Sequence, residues 1–255
     1  MAQHPSTFVW YELMTSDTRS AETFYRSVMG WGTQDSGMAS YTLMTMGSTM
    51  VGGLMPIPEE ARAMGARPAW LGYIGVDDVD ACAKRIGAAG GSVQKAPQDI
   101  PGVGRFAVVA DPGGAVFMIF KGTSTETPEP VRPGSPGHVG WHELRAADGR
   151  AAFTFYSNLF GWTAAEAVDM GPMGVYQTFA AGGAPIGGIM TKTPEMPMPS
   201  WLYYFNVESV DAAVERVKAG GGRIHHGPVQ VPGGSWIAQG EDPQGAAFAL
   251  VAPTR

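Results

Sequence analysis

Residues 8–31 read FVWYELMTSDTRSAETFYRSVMGW, and residues 139–162 read VGWHELRAADGRAAFTFYSNLFGW. The two stretches align without a gap at an offset of 131 residues. The same offset relates two later pairs of segments, 70–76 with 201–207 and 111–117 with 242–248. One offset that holds from the start of the first copy to its end indicates two copies of one fold in a single chain.

Composition limits the class of protein. The chain has 255 residues, of which 44% are hydrophobic and 16% charged, which is typical of two ordinary globular domains. The net charge of -6 argues against binding to nucleic acid, because a basic surface is needed to displace counterions from phosphate. The single cysteine, Cys82, excludes an intrachain disulfide and predicts a reducing, cytoplasmic environment. We also expect no signal peptide and no membrane association, since no apolar run approaches membrane-spanning length.

Proline and glycine mark the boundary between the copies. Residues 122–137, GTSTETPEPVRPGSPG, contain four prolines and almost no apolar side chain, as expected of an extended linker. We therefore predict a first module at residues 1–121, this linker, and a second module at residues 138–255.

The pattern within each copy predicts an α+β fold. In the first copy, Ser16 or Asp17 can cap a helix that ends at Gly30, and the glycines at 90 and 91 close a second helix. The predicted strands are 8–14, 40–46, 49–55, 70–76, 92–96, 104–110 and 115–121, the predicted helices run to about 29 and over 78–88, and 56–68 is a predicted loop. Each copy is interpreted as two βαβββ units, so that the chain holds four.

These residues resemble the vicinal oxygen chelate superfamily, which includes glyoxalase I, bleomycin-resistance proteins and extradiol dioxygenases. The motifs that carry the resemblance are Asp17, Phe24-Tyr25, Gly30-Trp31, the run 76–80 (VDDVD), Gly90-Gly91 and 111–114 (DPGG). The resemblance implies two modules, each an open barrel whose concave face is the active or binding site. It also implies that the two copies pack as homodimeric relatives do, which makes the chain a pseudo-dimer and, in solution, a monomer or weak dimer.

The resemblance further implies four His or Glu ligands for a divalent metal in each module. The first position falls on Trp10 and Trp141, the third on Leu71 and Leu202, and the fourth on Met118 and Ala249. The second falls in 49–55 and 184–190, which contain neither histidine nor a carboxylate. Divalent cations need imidazole or carboxylate ligands. We therefore predict no metal and no cofactor.

Apolar residues at these positions predict a cup that binds a flat or apolar small molecule. The predicted ligand-binding residues are Trp10, Trp141, Gly52, Gly53, Gly187, Gly188, Leu71, Leu202 and Met118. The two glycine pairs lie inside predicted strands, where they either let a ligand approach the backbone or mark a bulge that curves the sheet.

Glu12 and Glu143 are the candidate catalytic residues. Strand side chains alternate, so each glutamate shares a face with the tryptophan two residues before it. A carboxylate among apolar groups has a raised pKa and can act as a general acid or base, or anchor a ligand. The structural alternative is a buried carboxylate held by an arginine, a tyrosine or a tryptophan N–H.

Three functions are compatible with this pattern. The first is a metal-free protein, similar to glyoxalase and bleomycin-resistance proteins, that binds an apolar or aromatic small molecule in its concave faces. The second is a lyase, isomerase or hydroxylase-like enzyme that uses Glu12 or Glu143 for proton transfer, or a metal at a non-standard site. The third is an interaction protein whose cups are filled by Trp10 and Trp141.

Overall fold

The computed structural model describes residues 6–124 and 131–255 and has an α+β fold, as predicted from the sequence. The first half contains β1 (Phe8–Thr15), α1 (Thr18–Met29), β2 (Gly32–Asp35), β3 (Thr42–Met46), β4 (Thr49–Pro56), α2 (Glu59–Ala63), β5 (Ala69–Gly75), α3 (Val79–Ala88), β6 (Ser92–Ile100), β7 (Gly104–Ala110) and β8 (Val116–Gly122). The second half contains β9 (Val139–Ala146), α4 (Gly149–Phe160), β10 (Thr163–Asp169), a 3₁₀ turn (Gly171–Met173), β11 (Val175–Ala180), β12 (Pro185–Thr191), β13 (Ser200–Asn206), α5 (Val210–Ala219), β14 (Arg223–Gln230), β15 (Trp236–Glu241) and β16 (Ala247–Ala252).

The strands form two eight-stranded sheets, one from each half of the chain. Their orders are β2-β3-β4-β1-β5-β8-β7-β6 and β10-β11-β12-β9-β13-β16-β15-β14. In each βαβββ unit the first strand runs parallel to the last, as β1 does to β4 and β9 to β12. The four predicted βαβββ units are thus confirmed.

The ends of the first helix in each half follow from its capping residues. The Asp17 carboxylate accepts a hydrogen bond from the Ser20 N–H at 3.0 Å, and Gly30 ends α1 with φ of 76°, a left-handed conformation that glycine adopts without strain. In α4, Asp148 and Gly161 take the same two roles. The predicted cap at Asp17 and the predicted end of the helix at Gly30 are both found.

Three elements differ from the prediction. β2 is the first of the three strands that follow the helix in a βαβββ unit, but it was not located in the sequence because GTQD has no apolar residue to give an alternating pattern. The loop predicted at 56–68 contains the short helix α2, which begins directly after Pro58. β6 extends to Ile100, beyond the predicted end at 96, although Pro97 lies within it. Residues 125–130 of the predicted linker lie outside the described residues, and the division into modules at 122–137 stays a prediction.

Each of the two compact units of the molecule combines parts of both halves of the sequence. Unit 1 comprises 6–9, 72–124 and 142–201 among the described residues, and unit 2 comprises Trp10–Leu71, Val131–Trp141 and Leu202–Arg255. Unit 2 therefore joins the first βαβββ unit of the first half to the second βαβββ unit of the second half. Unit 1 joins the other two.

A buried tyrosine connects the two halves inside each unit. In unit 2 the Tyr25 hydroxyl donates to Asp242 at 3.2 Å and accepts from the Trp70 indole at 2.8 Å. In unit 1, Tyr156 donates to Asp111 at 3.3 Å and accepts from Trp201 at 3.2 Å. Both aspartates also accept backbone N–H groups of their own turns. The Phe-Tyr and Asp-Pro motifs of the sequence thus serve the core.

No helix in 6–124 or 131–255 is long and apolar enough to cross a membrane.

Candidate functional site

Glu12 lies in a buried cluster of unit 2 that we call the Glu12 cluster: Trp10, Glu12, Tyr41 and Gly53. The glutamate is only 3% exposed and sits on β1 directly opposite Gly53 of β4. Tyr41 immediately precedes β3, and its hydroxyl donates a hydrogen bond to the Glu12 carboxylate. It also accepts the Trp10 indole N–H at 2.9 Å. A buried carboxylate, a phenol and an indole are therefore linked in one hydrogen-bonded group.

The phenol of Tyr41 stays protonated at neutral pH. Burial, followed by the negative charge of Glu12, raises the pKa of Tyr41 well above its ordinary value. A protonated phenol is a hydrogen-bond donor and can stabilise the carboxylate next to it.

Gly53 makes room for Tyr41. A Cβ atom placed on Gly53 would overlap the Tyr41 ring and hydroxyl, and the three nearest atoms all belong to that side chain. The tyrosine thus occupies the space that the missing side chain leaves. The register between β3 and β4 also shifts by one residue beside the glycine pair, because Met44 faces Gly52 whereas Thr45 faces Met50.

The same arrangement recurs in unit 1 as the Glu143 cluster: Glu143, Arg145, Tyr176 and Gly188. Glu143 of β9 is 7% exposed and lies opposite Gly188 of β12. The Tyr176 hydroxyl donates to Glu143 Oε2 at 3.4 Å, and a Cβ atom on Gly188 would overlap the Tyr176 ring. The second cluster has one feature of its own, an ion pair in which Arg145 Nε lies 2.8 Å from Glu143 Oε1.

In the second half, apolar residues that pack together occupy positions at which the family resemblance implies metal ligands. In unit 2, Trp141 packs against a cluster of Leu202, Tyr204 and Ala249. Trp141, Leu202 and Ala249 are the residues at the first, third and fourth ligand positions that the family resemblance implies. None of the three carries an imidazole or carboxylate, so these positions do not fit a divalent cation. Among the described residues, no group of three or more His, Cys, Asp or Glu side chains is arranged to hold a metal.

The remaining predicted ligand-binding residues lie on strands at various depths. Met118 is buried on β8 opposite Tyr73, and Leu71 is half-buried on β5. A Cβ atom placed on Gly52 would lie 2.9 Å from the Tyr11 carbonyl oxygen, and one placed on Gly187 would overlap the His142 carbonyl oxygen and the Phe179 ring. Their role in ligand binding stays a prediction.

His142 is a buried neutral side chain. Its ring stacks on Phe8 at 4.2 Å between centroids, and Nδ1 lies 2.6 Å from the Ile186 carbonyl oxygen. Burial lowers the pKa of His142 to about 4. His142 therefore packs in the core of unit 1 and serves no chelate with Glu143.

Two surface depressions occur in unit 2, and their lining includes none of the predicted site residues. One, of about 320 Å³, is lined by polar residues around Arg223 and Glu241, and the other, of about 530 Å³, lies between α1 and Gly220. Both are open to solvent. The two glutamate clusters, which hold the predicted catalytic residues, are the candidate site.

Tyr41, Tyr176 and Arg145 were not predicted from the sequence as site residues. The two tyrosines are 135 residues apart, and so are Gly53 and Gly188, whereas the rest of the repeat keeps an offset of 131. At the offset of 131, Tyr41 aligns with Pro172, so that offset hides the equivalence of the two tyrosines. Arg145 could have been found, because it lies two residues after Glu143 on the same strand and so on the same face.

The sequence matches the model of one known protein superfamily. The model of the Glyoxalase/Bleomycin resistance protein/Dioxygenase superfamily matches residues 7–119 and 135–250. The chain belongs to this superfamily, as the motifs predicted.

Two relatives align with nearly the whole chain. A protein named putative glyoxylase CFP32, from Mycobacterium tuberculosis, is 32% identical over 252 residues, which cover 96% of this chain and 94% of the relative. A protein named anthracycline biosynthesis protein DnrV, from Streptomyces peucetius, is 32% identical over 97% of this chain and 93% of the relative.

Solved structures share the fold at lower identity. The Mn(II)-bound glyoxalase from Novosphingobium aromaticivorans superimposes with a TM-score of 0.69 at 17% identity and covers 99% of this chain and 83% of its own. The 2,3-dioxygenase LapB from Pseudomonas sp. KL28 has a TM-score of 0.67 at 13% identity, with 98% of this chain and 93% of its own covered.

Proposed function

We propose that this protein binds a flat, largely apolar aromatic molecule without a metal ion, and that the buried glutamates anchor its polar groups. The observation that carries the proposal is the Glu12 cluster, in which a carboxylate and a phenol are kept in a buried setting while the ligand positions of the family hold Trp10, Leu71 and Met118. Apolar surroundings bind an aromatic ring, and a few convergent polar groups fix its orientation.

The relatives support this choice of ligand class. DnrV is named for anthracycline biosynthesis and aligns with almost the entire chain. We infer that the ligand of this protein is a hydroxylated polycyclic aromatic compound. The lone Cys82 favours a reducing, cytoplasmic location.

The test is binding of 1,2-dihydroxyanthraquinone to protein dialysed against a chelator, measured by quenching of tryptophan fluorescence and by calorimetry. We expect saturable binding, and we expect Glu12→Gln to weaken it at least tenfold, because an amide lacks the charge that strengthens a hydrogen bond from a ligand hydroxyl. The matched control is Asp99→Asn, which neutralises a carboxylate that is 74% exposed in an ion pair with Arg105. Absence of saturable binding by the wild-type protein would refute the proposal.

The Tyr41 hydroxyl also favours a second candidate, an enzyme that transfers a proton through Glu12. Tyr41 is held between the Trp10 indole and the Glu12 carboxylate, an arrangement suited to orient a general base. Under this alternative, Glu12→Gln would reduce turnover of the aromatic compound, measured by mass spectrometry, while its affinity changed little. If the bound compound is recovered unaltered from the wild-type protein, this alternative is excluded for that compound.

A further inference from the structure

A row of four side chains crosses one face of the sheet in unit 1. The strand register places Lys95 of β6 opposite Val108 of β7, and Val108 opposite Met118 of β8. Met118 lies in turn opposite Tyr73 of β5. Residues that lie opposite each other on adjacent strands share a face of the sheet, so these four side chains lie on the same side of it.

A second row on this side consists of Phe106 and Phe120, which lie opposite each other. Side chains two residues apart on a strand share a face, so both rows form one surface, which we call the aromatic face: Tyr73, Lys95, Phe106, Val108, Met118 and Phe120. The opposite side of the sheet, with Ala107 and Val109, is fully buried where α3 packs against it. Phe106, Val108 and Phe120 are only half-buried, so the aromatic face is accessible from solvent.

Lys95 is the charged residue of the aromatic face. Its Nζ lies 5.9 Å from the centroid of the Phe106 ring, over the ring, where the electrons of the ring attract the ammonium group. The nearby carboxylates of Asp80 on α3 and Asp99 on β6 both pair with Arg105. Within the part of the chain that the structure describes, Lys95 forms no salt bridge. A half-buried positive charge therefore lies beside aromatic rings and is not neutralised by a carboxylate of the described residues.

The fold does not require this combination of residues. At the offset of 131, the second half has His226, Ile237 and Val251 in place of Lys95, Phe106 and Phe120. The register there is the same, since Ile237 lies opposite Val251 as Phe106 lies opposite Phe120. Because the second half forms the same strands with aliphatic residues, the two phenylalanines and the lysine of the first half need another explanation than sheet formation.

We propose that the aromatic face binds the ring system of the ligand and that Lys95 selects for a negatively charged substituent on that ring system, such as a carboxylate. This inference rests on the proposed function. A flat ring packs favourably against phenylalanine, and an ammonium group attracts an anion more strongly beside apolar rings than in bulk water. Phe106 holds the ammonium group at the aromatic face, while Phe120 supplies half-exposed ring surface.

The test compares binding of anthraquinone-2-carboxylate with that of the neutral anthraquinone-2-carboxamide, measured by calorimetry and by quenching of tryptophan fluorescence. The two compounds share their rings and nearly their size, so the ratio of their affinities isolates the effect of the charge. We expect the wild-type protein to bind the carboxylate about tenfold more tightly, as is typical of a hydrogen bond between charged groups. 1,2-Dihydroxyanthraquinone, the compound that tests the proposed function, is titrated into the same samples.

Four variants separate the contributions of charge and ring. Lys95→Met keeps most of the aliphatic chain and should bind both compounds about equally, whereas Lys84→Met, which removes the same charge from the exposed side of α3, should keep the preference within about twofold. Phe120→Val should weaken both compounds about fivefold and leave their ratio unchanged, because a stacking surface is lost. Val251→Ala truncates the equivalent residue of the second half and should leave both affinities within about twofold of the wild-type values.

The possible results distinguish this inference from the proposed function. If the wild-type protein binds none of the three compounds, the proposed function fails and takes this inference with it. If it binds 1,2-dihydroxyanthraquinone but does not prefer the carboxylate to the carboxamide, or if Lys95→Met keeps the preference, Lys95 does not select the charge, and the proposed function stands. Weaker binding by Val251→Ala together with unchanged binding by Phe120→Val would show that the ligand does not lie on the aromatic face.

Discussion

Replacing Gly53 by alanine should disrupt the Glu12 cluster through Tyr41. The added methyl would overlap the Tyr41 ring and hydroxyl, and ring atoms cannot yield as the end of a flexible chain does. Either the strands shift to admit the methyl, at about 1–3 kcal/mol for overpacking, or Tyr41 rotates away and its hydrogen bond to a charged group is lost, at about 1.5–3 kcal/mol. Both routes predict that the free energy of unfolding falls by about 2 kcal/mol.

The assay is urea unfolding followed by tryptophan fluorescence and circular dichroism, with Gly87→Ala as the control. Gly87 lies in α3 with no atom within 4 Å of the position of its Cβ, so alanine there should raise stability by roughly 0.5–1 kcal/mol. A double-mutant cycle isolates the cause, because Gly53→Ala should cost less than about 0.5 kcal/mol in a Tyr41→Ala background. If Gly53→Ala lowers the free energy of unfolding equally in both backgrounds, Gly53 is not needed to make room for Tyr41.

Two further predictions concern the core. Tyr25→Phe should lower the free energy of unfolding by about 1–3 kcal/mol, because Asp242 and the Trp70 indole each lose a buried partner; a change below 0.5 kcal/mol in urea unfolding, on the scale of ordinary surface substitutions, would contradict it. The pKa of His142 is lowered by burial to about 4, below the value of about 6.5 in the unfolded chain. Between these values the unfolded state therefore binds more protons than the folded state. The stability that neutral His142 contributes is fully present above about pH 6.5, and on the order of 3 kcal/mol of it is lost as the pH falls toward 4. His142→Phe should flatten the pH dependence of unfolding in this window, and an unchanged slope would show that His142 does not titrate there.

Local signals were sufficient to predict most of the fold. The caps Asp17 and Gly30 act through neighbouring backbone groups, so the sequence around them contains all the information that sets the limits of α1. β2 was missed because GTQD is an exposed strand whose position depends on pairing with β3 rather than on its own composition.

The repeat alone does not show which segments of the chain form each compact unit. Each half contains a complete set of elements, and a repeat is equally compatible with units built within a half or across halves. The choice is made by partners far apart in sequence, such as Tyr25 with Asp242 and Tyr156 with Asp111. Those residues were noted as motifs, but nothing in their spacing indicates which copy of the aspartate each tyrosine contacts.

The candidate site was predicted in part. Alternation along β1 and β9 identified Glu12 and Glu143 as buried residues on the face of Trp10 and Trp141, and both glutamates are buried. The tyrosines depend on the register of β3 on β4 and of β11 on β12, which includes a one-residue shift in each pair. Register of this kind is set by tertiary packing, so the partners of the glutamates emerged only from the structure.

The most direct test of metal-independent ligand binding is a titration of 1,2-dihydroxyanthraquinone into the protein before and after exhaustive chelation, with metal content measured on the same samples. We expect the affinity to be the same within twofold in both samples, because Trp10, Leu71 and Met118, like Trp141, Leu202 and Ala249, provide no ligand for a divalent ion at the positions that the family uses. Loss of binding on chelation, with recovery when about one equivalent of manganese, iron, nickel or zinc is restored, would contradict the proposed function.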